Sequence, residues 1–62
     1  MTKTEAIALF GTLRATAEAM GLSTQAVYAW PDPLTKELQD KVLATLLRTG
    51  RGAEAKRIAE AL

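Results

Sequence analysis

The stretch Gly11-Thr12-Leu13-Arg14-Ala15-Thr16-Ala17-Glu18-Ala19-Met20-Gly21-Leu22-Ser23-Thr24-Gln25-Ala26-Val27-Tyr28-Ala29-Trp30 decides how this chain is read. It breaks into two short helical segments, each opened by a hydroxyl residue and separated by a glycine. Thr12 is a natural N-cap, because its side-chain oxygen can accept a free N–H of the first turn. Leu13, Ala17 and Met20 then recur at helical spacing over Leu13 to Met20. Gly21 stops that segment at a position suited to positive φ. Ser23 caps the next, Thr24 to Trp30, which Pro31 closes by disfavouring helical geometry in the residue before it.

Two helices joined by a three-residue turn that begins with glycine have the layout of a helix-turn-helix. The layout makes demands that this stretch meets in register. Ala17 is expected where the two helices cross, since a larger side chain would push them apart. Gly21 takes the turn, and Leu22 is expected to point back into the core. Val27 and Trp30 anchor the second helix, which leaves Thr24, Gln25 and Tyr28 facing outward.

The flanking sequence is helical too. Val27, Val42, Ile7 and Ile58 are the chain's only valines and isoleucines, whereas alanine, the best helix former, is abundant. Thr2-Lys3-Thr4-Glu5 has capping-box spacing, and a first helix through Ile7 and Phe10 ends at Gly11. A fourth starts near Thr35 and reaches Arg48 or Thr49, with Leu34, Leu38, Val42 and Leu46 stepping by four and Leu43 and Leu47 widening the face. Thr49-Gly50-Arg51-Gly52 breaks it. A fifth covers Ala53 to Leu62, with Ala55, Ile58, Ala59 and Leu62 on one face. The expected fold is all-α: a compact bundle of about five short helices in one domain over residues 1–62, with the motif at 12–31 and the C-terminal helices at 35–62.

Composition narrows the function. The chain has 62 residues, 48% of them apolar, a formal net charge of +1, and neither cysteine nor histidine. No disulfide can form, and the usual zinc ligands are missing. The best nucleophile and the usual general base are missing as well. No catalytic residue, cofactor or metal site is expected, and a binding module is favoured over an enzyme. The N-terminal region lacks the apolar segment of a signal peptide, and no run approaches a membrane span. An intracellular location away from the membrane is expected.

The pattern Phe10-Gly11-Thr12-x-Arg14-Ala15-x-Ala17-x-Ala19-x-Gly21-Leu22-Ser23-x-x-Ala26-Val27-x-x-Trp30 resembles the phage Cro repressors and their relatives among prophage and bacterial regulators. The resemblance covers residues 3 to about 31 and is closest to the small all-helical members. It implies a lambda-repressor-like DNA-binding architecture in which the second motif helix enters the major groove and the first crosses the backbone. It further implies base reading by Thr24, Gln25 and Tyr28 and backbone contacts from Thr12, Arg14 and Ser23. Glutamine suits adenine, because its amide offers a donor and an acceptor together to N6 and N7. Leu13 departs from relatives that often carry a polar residue such as Gln there. The implied partners are a double-stranded DNA operator and a second copy of the chain, at least on DNA, in the cytoplasm of a bacterial host at the nucleoid. The expected dimer surface is the fourth helix or the C-terminal helix, since Leu43, Leu47 and Leu62 exceed what one small core needs.

Charge pulls the other way. DNA-binding domains usually carry a basic excess, but residues 1–31 balance Lys3 and Arg14 against Glu5 and Glu18. The positive charge gathers later, in Arg48, Arg51, Lys56 and Arg57 against Glu54. It would assist binding only where it flanks the groove-facing helix. The competing reading is a helical protein-interaction module, adaptor-like or antitoxin-like, that uses the motif as scaffold.

Overall fold

A computed structural model describes all residues from 1 to 62. It contains five α-helices and no strand: α1 Lys3–Phe10, α2 Leu13–Met20, α3 Thr24–Tyr28, α4 Lys36–Arg48 and α5 Gly52–Ala61. Helix α2 is central, lying against α1, α3 and α4, while α5 folds back on α4. None of the helices is long and apolar enough to cross a membrane.

Local chemistry sets the helix boundaries. Thr2 and Glu5 form the full capping box, with the Thr2 hydroxyl accepting the Glu5 N–H and the Glu5 carboxylate accepting the Thr2 N–H. Thr12, Ser23 and Thr35 cap α2, α3 and α4 by accepting the N–H three residues on. Helices α2 and α4 end alike. Gly21 and Gly50 take positive φ, and the N–H of the following residue turns back to the helix, Leu22 to the Ala17 carbonyl and Arg51 to the Leu46 carbonyl. These are Schellman closures, which satisfy carbonyls that the helix end leaves free.

The core consists of Ala6, Ala17, Val27, Trp30, Leu34, Val42, Leu46 and Ala55. Every helix contributes to it, apart from Trp30 and Leu34, which come from the α3–α4 connection. The Leu34 N–H donates to the Met1 carbonyl at 3.0 Å, tying that connection to the start of α1. Two buried threonines join the core, Thr16 and Thr45. Each hydroxyl donates to the carbonyl four residues back, so neither brings an unpaired polar group inside.

Four expectations need correction. Helix α3 stops at Tyr28 rather than Trp30: the Trp30 N–H turns to the Val27 carbonyl in a tighter closure, as the following Pro31 requires. Leu22 does not enter the core but remains 42% exposed. The Schellman closure points its backbone inward and leaves its side chain on a groove between α3 and α4. Helix α5 spans Gly52–Ala61, one residue earlier at both ends, and only part of its expected face is covered. Ala55 is buried and Ile58 half-buried, but Ala59 and Leu62 are exposed. Leu62 lines an open hollow with Met1 and Leu9 between α1 and α5. Finally, Leu43 is not surplus: it packs against the core, and of the three leucines expected at the dimer surface only Leu47 and Leu62 are left exposed.

Candidate nucleic-acid interface

The outer face of α3 is exposed and uncharged. Val27 is fully buried and Trp30 nearly so, and together they hold α3 down. Its remaining residues, Thr24, Gln25, Ala26 and Tyr28, are all exposed. Tyr28 is 71% exposed, so it does not shield the core beside Trp30. The helix itself carries no charged residue.

The candidate backbone-contacting residues sit at the helix starts. Thr12 and Ser23 are exposed and use their side-chain oxygens as caps, which leaves each hydroxyl a proton to donate. Arg14, in the first turn of α2, donates from Nε to Glu18 at 3.2 Å. Both side chains of that pair are strongly exposed, 83% and 70%. Such a pair adds little stability and exchanges readily for a stronger anion. The motif residues Ala17 and Gly21 stand where the spacing predicts, Ala17 buried and Gly21 in the left-handed region at φ 71°.

Two cations from outside the motif contact it, one at the end of α3 and one near the end of α2. The Lys3 ammonium, at the start of α1, donates to the Tyr28 carbonyl at 2.9 Å and lies 4.9 Å from the centre of the Tyr28 ring. Arg48, at the end of α4, donates from Nη2 to the Ala19 carbonyl near the end of α2 at 3.0 Å. There it lines the groove between α3 and α4, about 470 Å³, together with Met20, Leu22, Ala26, Trp30 and Lys41. Nothing in the local sequence signals either placement, since both depend on contacts across more than twenty residues.

Lys41 shares the α3–α4 groove, whereas Arg51 and Arg57 lie on the α1–α5 side. Arg51 makes a two-pronged pair with Glu54, at 2.9 and 2.6 Å, and lies 5.7 Å from the Phe10 ring. That pairing holds the Glu54 carboxyl below its ordinary range and the Arg51 guanidinium above its own. Arg57 lines a hollow with Leu9 and Ile58 on the α1–α5 side. The Glu5 carboxyl is also held low, by its capping bonds to Thr2.

Comparison of the chain with family models, with curated protein sequences and with solved structures finds no match.

Proposed function

We propose that this chain is a sequence-specific double-stranded DNA-binding regulator, a Cro-like repressor that occupies an operator through the major groove and blocks polymerase there. The observation that carries the reading is the uncharged outer face of α3, with Thr24, Gln25 and Tyr28 exposed together on a helix anchored by Val27 and Trp30. Gln25 offers the paired donor and acceptor that suit adenine, and the other two offer hydroxyls for base edges or phosphates. Thr12, Arg14 and Ser23 supply hydroxyl and guanidinium donors at helix starts, where free N–H groups already favour a phosphate.

One copy touches few base pairs, so useful specificity calls for two copies on a two-fold related site. Half-sites one helical turn apart are separated by roughly 34 Å, and the chain's longest extent is 28 Å. Two copies at that spacing fit side by side without their backbones overlapping. Of the leucines expected to pair, Leu47 and Leu62 are exposed and available. The setting is the cytoplasm of a bacterial or prophage host.

The competing reading, a protein-interaction module without base readout, draws support from the partly apolar groove beside Leu22 and Trp30. A titration with mixed-sequence duplex at low and moderate salt separates the two. Binding that weakens with salt, followed by selection of a preferred site from random duplexes, supports the regulator. No binding at low salt overturns it.

A further inference from the structure

We propose that Lys3 and Arg48 are phosphate-contacting cations that grip the DNA backbone on the two flanks of α3; the inference rests on the DNA-binding reading above. A helix entering the major groove runs between two phosphate backbones, and non-specific affinity comes from the cations that meet them. Helix α3 has no cation of its own, and Arg14 is shared with Glu18. Beyond Arg14, the charge has to come from elsewhere in the fold.

The geometry puts it on both sides. Successive residues of a helix are rotated by about 100°, so Tyr28 and Ala26 point to opposite sides of Gln25. Lys3 stands on the Tyr28 side, its ammonium against the Tyr28 carbonyl and ring. Arg48 stands on the Ala26 side, across the shared groove. Neither belongs to any of the three ion pairs, Arg14–Glu18, Lys41–Glu37 and Arg51–Glu54. Asp32 does reach Lys3, but it accepts from the backbone N–H at 3.4 Å. Each cation is also fixed in place by a carbonyl, Tyr28 for Lys3 and Ala19 for Arg48. Anchoring at a helix end also suits the partial negative charge there. An anchored cation with donors to spare loses less freedom on meeting a phosphate than a free surface lysine does.

The test is the salt dependence of binding to a mixed-sequence duplex, read by fluorescence anisotropy between 50 and 200 mM salt. Lys3→Gln and Arg48→Gln are each expected to lower the slope of log affinity against log salt by about 0.9 per subunit. That corresponds to about 3.5-fold less loss of affinity across the range. Arg57→Gln removes the same charge from the α1–α5 side and is expected to keep the parent slope. Lys3→Arg retains the charge and is expected to keep it too. Equal changes in all three glutamine variants mean that only overall charge matters, and they overturn the inference. So does a parent slope in Lys3→Gln and Arg48→Gln, including the case where affinity falls equally at every salt concentration. Those outcomes leave the DNA-binding reading standing. A parent chain that binds no duplex removes both.

Discussion

The backbone N–H of Leu22 donates to the Ala17 carbonyl at 2.8 Å, closing α2 through a left-handed Gly21 and setting the direction in which α3 departs. One hydrogen bond thus links the buried Ala17 of α2 to the second residue of the motif's turn. The orientation of the outer α3 face depends on it.

Substitution at Gly21 is expected to act through backbone conformation alone. A Cβ there would meet no atom within 4 Å, so space is not the constraint. Gly21→Val is expected to cost at least about 1–2 kcal/mol, because a branched side chain resists positive φ. Gly21→Asn, which tolerates that region, is expected to cost less. Thermal melting checks the order: each 1 kcal/mol shifts Tm by roughly 4–8 °C for a domain of about this size. Equal Tm values for the two variants would contradict the account.

Packing predicts a second contrast. Ala17 is 2% exposed, so Ala17→Leu is expected to overpack the interior and cost about 1–3 kcal/mol. Leu22 lies half in solvent, and Leu22→Ala is expected to cost under about 1.5 kcal/mol, less than full burial of a leucine is worth. Denaturant midpoints compare the two directly. A larger loss at Leu22 than at Ala17 would contradict the packing described.

Stability is expected to fall in acid for a nameable reason. Glu5 and Glu54 are both held below the ordinary value of 4.5, Glu5 by its Thr2 bonds and Glu54 by Arg51. A carboxyl lowered on folding stabilises the fold above its unfolded pKa, and that contribution disappears as pH falls through the folded value. Melting at pH 7 and at pH 3 is therefore expected to show a drop, and Glu5→Gln with Glu54→Gln is expected to shrink it. Glutamine at residue 5 keeps the capping bond without the charge. An unchanged drop in the double variant would assign acid sensitivity to other carboxylates.

The helices, their hydroxyl caps and the inward positions of Ala17, Val27 and Trp30 were legible in the chain, because each depends on neighbours within a turn or two. So was the exposure of Thr24, Gln25 and Tyr28, which follows once Val27 and Trp30 are turned inward. Leu22 was not legible: its hydrophobicity suggests burial, but the Schellman turn spends the inward direction on its N–H. Nor could spacing foresee Lys3 against Tyr28 or Arg48 against Ala19, contacts set by how α1 and α4 pack around the motif. Net charge therefore understated the cations near α3, while Arg51 and Arg57, close to Arg48 in sequence, lie on the α1–α5 side.

The central claim is that α3 reads bases while the helix starts grip the backbone, and one comparison tests it most directly. Parent, Gln25→Ala and Arg14→Ala are titrated against the duplex selected by the parent and against mixed-sequence duplex. Gln25→Ala is expected to lose about 1–3 kcal/mol per half-site on the selected duplex and almost nothing on the mixed one. Arg14→Ala is expected to weaken both alike and to flatten the salt dependence by about one counterion per subunit. A Gln25→Ala variant that keeps the parent's preference for the selected duplex would contradict the claim.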